Sequence, residues 1–137
     1  QLEPDSSYAL AYVESEDTSW FVAHLVQLKD HLFMDMYPDP SDVLSDAYKV
    51  HLVAAHTFSK IDFDSNVLTI SILDADWIRA KLDSGTLGVA HELLSPGDLV
   101  FTAATEDLQK FMISIADDSA AFSPLQLVRQ NMLGDSI

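Results

Sequence analysis

The chain has 137 residues, 48% of them hydrophobic, which is long enough for one domain with a real core and too apolar for disorder. Seven Lys and Arg face 22 Asp and Glu, a formal net charge of −15 that repels phosphate backbones and anionic lipid and argues against nucleic-acid or peripheral-membrane binding. The absence of cysteine excludes disulfides, thiolate catalysis and thiolate-ligated zinc.

No apolar run reaches the ~20 residues of a membrane span. The polar opening QLEPDSS, without an initiator Met, has the pattern of a mature start behind a signal peptide or a lipid-anchor cysteine. YALAYV at 8–13 alternates with period two and predicts a first strand, Tyr8, Leu10 and Tyr12 opposing Ala9, Ala11 and Val13. The polar EDTS at 16–19 reads as a turn. WFVAHLVQL at 20–28 predicts a second strand, with Trp20, Val22, His24, Val26 and Leu28 on one face and Phe21, Ala23, Leu25 and Gln27 on the other. Both faces are largely apolar, the mark of a central strand or one covered on both sides. Lys29-Asp30 then separates this run from HLFMDMY, a hairpin signal although not the favoured Asn-Gly type.

YPDPSD at 37–42 breaks the sheet, and Ser41 is placed to cap a short helix, DVLSDAY. KVHLVAAHTF, SKIDF and NVLTISIL read as three more strands, with Asp64-Ser65-Asn66 turning between the last two. DADWIRAKLDSG predicts a helix capped by Asp74 and stopped at Gly85, with Trp77, Ile78 and Leu82 toward the sheet. TLGVAHEL reads as a short strand, SPGD as a turn and LVFTA as another strand. TEDLQKFMISIA is the clearest helix: Thr105 is placed as its cap, and Leu108, Phe111, Met112 and Ile115 form one apolar stripe. The tails 1–6 and 124–137 read as irregular parts of a single domain spanning 1–137.

The candidate sites centre on histidine. His51 and His56 lie five apart, and odd spacing on a strand sends them to opposite faces, so without a bulge they cannot share a metal. His56 shares its face with Val50, Leu52, Ala54 and Phe58. A satisfied strand histidine is the commoner meaning of such a residue; a ligand-binding or proton-transfer role is the sharper one. With Lys29-Asp30 as the turn, Leu28 pairs with His31 and His24 falls opposite Asp35, a polar couple inside the sheet. Its plain meaning is a structural pair. Its functional meaning is a carboxylate-oriented imidazole in a barrel mouth or cleft.

Asp62, Asp64 and Asn66 have the opening spacing of a calcium loop, but Val67 stands where glycine is needed and Leu73 where glutamate is needed. Asp39, Asp42 and Asp46 read as a solvated helix start. No G-x-S-x-G, H-E-x-x-H, Walker or dinucleotide motif occurs, so no catalytic residue, metal site or cofactor is assigned.

The segments VAAHTFSKIDF, ILDADWIRAKL and LVFTAATEDLQKFM carry a resemblance across about residues 8–122. A strand ending in His-Thr-Phe, a hydrophobic hairpin, Leu-Asp-x-x-Trp-Ile and a Thr-Ala-x-Thr-x-x-Leu-Gln-x-Phe helix entry follow in order. In these words the chain resembles an uncharacterised family of small bacterial extracytoplasmic proteins, commonly lipoproteins by prediction. The resemblance implies a β-rich domain of the envelope, periplasmic or lipid-anchored.

The expected architecture is α+β, an antiparallel β-meander curving into a partial or closed barrel, with lipocalin-like as one form and two main helices covering it. The expected function is a non-enzymatic binding or interaction domain of the bacterial envelope for an unknown small molecule or protein, with His56, His24 and Asp35 as candidate ligand-binding residues. The alternatives are an acidic inhibitor or immunity-type protein with a basic partner, and an enzyme using a strand histidine.

Overall fold

The computed structural model describes residues 7–39, 55–95 and 98–128. Within them the period-two alternation of the first half becomes a meander: β1 (Tyr8–Glu14), β2 (Asp17–Leu28), β3 (His31–Pro38), β4 (Thr57–Asp64) and β5 (Val67–Leu73), each antiparallel to the next. Helix α1 (Ala75–Asp83), a hairpin of β6 (His91–Ser95) and β7 (Asp98–Phe101), and helix α2 (Thr105–Ile115) follow. A 3₁₀ turn at Ser119–Ala121 then returns the chain to the sheet as β8 (Phe122–Val128), antiparallel to β5. The main sheet has the order β1-β2-β3-β4-β5-β8 and curls into a half-barrel, with β1 and β8 as its edges among the described residues.

The tight turns explain the meander. Ser15, Lys29 and Ser65 each open a two-residue connection at positive φ, 56°, 53° and 54°. A positive φ at the first turn position alone matches the strand twist in the manner of a type II′ turn. Lys29 is held there by the Gln27 amide, which donates to its carbonyl at 2.8 Å. The hairpin register is the expected one, Leu28 opposite His31 and His24 opposite Asp35.

Helix α1 is closed at both ends by its own sequence. The Asp74 carboxylate accepts from the Trp77 backbone N–H at 2.9 Å. At the other end Gly85, at φ +66°, donates to Leu82 O and Thr86 donates to Lys81 O, both at 2.9 Å, a Schellman pair that needs the left-handed residue.

The core lies between the helices and one face of the sheet. Phe33 and Phe122 from the sheet meet Phe111, Met112 and Ile115 of α2 and Leu87 of the loop after α1. Leu28, Phe58, Leu73, Trp77 and Leu82 complete it from the half-buried layer. The predicted stripe of α2 is thus its buried side.

Five expectations are corrected. The first turn is Ser15-Glu16, and Asp17–Ser19 already belong to β2, drawn into the ladder opposite β1. Ala104, not Thr105, holds the N-cap of α2, with extended backbone (φ −61°, ψ 154°) and no side-chain bond; its carbonyl accepts from Asp107 and Leu108. Thr57 and Phe58 join SKIDF in one strand, leaving Ala55 and His56 outside the ladder. β2 is a central strand, between β1 and β3, as one of its two readings had it; the other reading, cover on both faces, does not hold, because Trp20 and Leu25 are exposed. Finally, residues 122–128 form a strand where irregular chain was expected from 124. Pro124 is tolerated because β8 is an edge. The helix expected after Ser41, the strand expected over 49–54, and His51, Asp42 and Asp46 lie outside the described residues.

Candidate functional site

The three histidine-site residues converge on one end of the helix-covered face. Ladder partners share a face, so His24 and Asp35 lie side by side on β2 and β3, with Tyr37 next along β3. His56, one residue before β4, continues the row opposite Tyr37, since Met36 pairs with Thr57.

Asp35 bonds to His56. Nδ1 of His56 lies 2.8 Å from both Oδ1 and Oδ2 of Asp35. A carboxylate offers no proton, so Nδ1 donates, and whenever the ring is neutral its lone pair sits on Nε2. The side chains are 47% and 22% exposed, so the ring reaches solvent while its orienting carboxylate is mostly enclosed. His24 faces Tyr37 instead, stacked at 6.0 Å between centroids, and Tyr37 meets His56 at 4.9 Å.

The arrangement is therefore an oriented imidazole at one end of a row of three rings. The expected His24–Asp35 neighbours are adjacent in register, but the hydrogen bond belongs to Asp35 and His56, 21 residues apart in the chain. Tyr37 was missed by sequence reasoning, although its parity with Asp35 placed it on the same face. No group of three or more His, Asp or Glu among the described residues is arranged to hold a metal ion.

The other two described histidines are tied elsewhere. His31 Nε2 lies 3.3 Å from Asp117 beyond the end of α2, and His91 Nδ1 lies 2.8 Å from the Val89 carbonyl. Asp62 and Asp64 belong to β4, and Asp64 accepts from the Ser65 hydroxyl at 3.1 Å, so the D-x-D-x-N spacing is a strand end and its turn.

A cleft of about 790 Å³ opens between α1, α2 and the segments that flank the small hairpin. Its chemistry is mixed. Lys81 lies 5.2 Å over the Trp77 ring, Lys110 pairs with Asp107 at 3.1 Å, and Trp77 Nε1 donates to Asp118 at 3.1 Å. Each charged group at its mouth already has a neighbour, so it presents no single recognisable ligand chemistry.

Among the described residues, the other face of the main sheet gathers exposed apolar side chains. The register assembles it in rows: Tyr8–Ala23–Met36–Thr57, then Leu25–Met34–Ser59–Ile72–Ser123, then Gln27–Leu32–Ile61–Ile70–Leu125, with Phe63 beside Leu68 at the end. These rows hold no charged residue. Ala23, Met34 and Ile61 are buried at the centre. Around them Tyr8, Tyr12, Leu25, Phe63, Ile72 and Leu125 are exposed, and neither α1 nor α2 packs on this side.

No family model, no curated protein and no solved structure matches the chain.

Proposed function

We propose that this is a non-enzymatic binding or interaction domain whose working surface is the open apolar face of the main sheet. One observation carries the reading. Six of the ten exposed large hydrophobic side chains of the described residues fall on this single face, and the chance scatter usual for a soluble surface would not gather them there. A lipocalin-like half-barrel that takes an apolar surface or molecule on this wall is the form of the proposal. Residence in the bacterial envelope belongs to it on the strength of the resemblance in VAAHTFSKIDF, ILDADWIRAKL and LVFTAATEDLQKFM.

Nile red, an uncharged dye that brightens on apolar surfaces, tests the reading. The wild type is expected to enhance its fluorescence, and the double variant Phe63→Ser/Leu125→Ser to lose most of that enhancement. Equal enhancement by the two proteins would remove the support for this face.

The Asp35–His56 pair favours a second reading, an enzyme in which His56 Nε2 acts as a base or nucleophile. Diethyl pyrocarbonate, which acylates neutral imidazole, should then modify His56 ahead of His24, His31 and His91. Asp35→Asn should slow that reaction. Indiscriminate labelling of the histidines would leave the pair a structural one.

A further inference from the structure

The ring row on the helix-covered face is short of hydrogen-bond partners. His56 gives Nδ1 to Asp35, and its Nε2 makes no hydrogen bond among the described residues. Neither ring nitrogen of His24 nor the Tyr37 hydroxyl makes one there either; both side chains are held by ring contacts alone. His24 and Tyr37 are half-buried and His56 is exposed, so these polar atoms are left for solvent or a ligand to satisfy.

Charge decides which ligand. Asp35 is the one charged residue of the rungs Val22–Tyr37 and His24–Asp35–Phe58, and beside a neutral His56 it keeps its full negative charge. The five described Lys and Arg stand elsewhere. Lys60 is on the Ala116 carbonyl, Arg79 on Asp76, Lys81 over Trp77 and Lys110 on Asp107, while Lys29 lies in the turn at the far end of the β2–β3 hairpin. A carboxylate or phosphate therefore meets like charge with nothing to offset it. A cation with N–H donors fits. It donates to Nε2, a nitrogen made more basic by the carboxylate on Nδ1, and Asp35 offsets its charge. The Tyr37 ring, and Trp20 exposed on the same face of β2, suit the hydrocarbon part of such a cation.

We infer that this row is a binding site for an organic ammonium ion, which donates N–H to His56 Nε2 with Asp35 as counter-charge. The site is separate from the open apolar face. It needs no reaction at His56 and shares with the enzymatic reading only the free Nε2.

The probes are benzylammonium, benzyl alcohol and benzoate, one shape in three charge states. Ring signals of His24, Tyr37 and His56 are followed by NMR in the whole chain at about pH 8, where free imidazole is neutral and an alkylammonium ion is charged. Salt at about 0.15 M screens diffuse attraction to a chain of net charge −15. Benzylammonium is expected to shift these signals saturably, benzyl alcohol to bind about tenfold more weakly, and benzoate not to bind. Asp35→Asn should weaken benzylammonium about tenfold and leave benzyl alcohol unchanged. His56→Phe keeps a ring at an exposed position outside the ladder, removes the acceptor and should abolish the preference for the cation. Circular dichroism checks that both variants are folded.

Equal affinity for the three probes, no saturable binding, or shifts scattered over the acidic surface would overturn the ammonium site. If benzylammonium fails while diethyl pyrocarbonate still selects His56, the ammonium site is lost and the enzymatic reading stands. If pyrocarbonate labels the histidines indiscriminately while benzylammonium binds through Asp35, the ammonium site stands and the enzymatic reading is lost.

Discussion

One face of the main sheet carries Phe33, Phe58, Leu73 and Phe122 beneath two helices; the other carries Leu25, Phe63, Ile72 and Leu125 with neither helix against them. The two faces draw on the same strands and are nearly equal in apolar content. They differ in polar content. The covered face includes His24, His31, Asp35, Lys60 and Asp62, while the rows of the open face contain only Ser, Thr and Gln as polar residues. Across the middle of the sheet, charge therefore sits on the side that the two helices cover, and the rows on the other side carry none. A face built only for solubility would have the opposite arrangement.

The largest expected effect lies under the helices. Phe33 is 3% exposed and packs with Phe111, Met112 and Ile115. Phe33→Ala should lower the unfolding free energy by about 3–5 kcal/mol, combining lost transfer energy with a cavity that the helices cannot fully close. Urea denaturation followed by circular dichroism measures it. A loss near that of an exposed residue would erase the distinction between the faces.

Next comes the cation within the covered face. Lys60 Nζ donates to the Ala116 carbonyl at 3.1 Å, at the C-terminal end of α2, and lies 5.0 Å over the Phe122 ring. The bond anchors α2 to β4 and places a positive charge where the helix dipole favours one. Lys60→Met keeps the apolar stem and should cost about 1–3 kcal/mol. An unchanged urea midpoint would mean that packing alone holds the helix.

A smaller, pH-dependent effect belongs to Asp74. The Ser123 hydroxyl donates to its carboxylate at 2.6 Å and the Trp77 N–H at 2.9 Å, and these bonds, Ser123 first, hold its pKa below the ordinary value. A carboxyl with a depressed folded-state pKa stabilises the fold above its unfolded-state pKa and loses that contribution as pH falls through the folded-state value. Asp74→Ala should therefore lower the urea midpoint at neutral pH, and its deficit should shrink as the solution is acidified below the usual carboxylate range. A deficit independent of pH would assign the effect to helix capping without charge.

Local signals made much of this legible from sequence. Alternation located β1 to β3, the two-residue Lys29-Asp30 turn set the register of His24 opposite Asp35, and Asp74 and Gly85 bounded α1. What escaped depends on contacts between distant segments. β8 exists because β5 offers it a partner, since SPLQ with its proline has little strand character alone. The partner of Asp35 is His56 because β4 pairs with β3 and brings His56 level with Tyr37, 21 residues on from Asp35. The asymmetry of the faces escaped as well. Period two separates Leu25 from Val26, but only the placement of α1 and α2 decides which of two apolar sides is covered.

The smallest expected effect is the sharpest test of that asymmetry. Phe63 is 68% exposed on the open face, at the end of the row beside Leu68. Truncation there removes little that is buried, so Phe63→Ser should shift the unfolding free energy by no more than about 0.5 kcal/mol. The same ring type at Phe33 is expected to lose several times more, although both residues sit in central antiparallel strands of one sheet. Composition and strand propensity are matched in this pair, and the difference that remains is the cover supplied by the helices. A large loss at Phe63 would show that the second face is sealed in solution, and would withdraw the open wall on which the binding role depends.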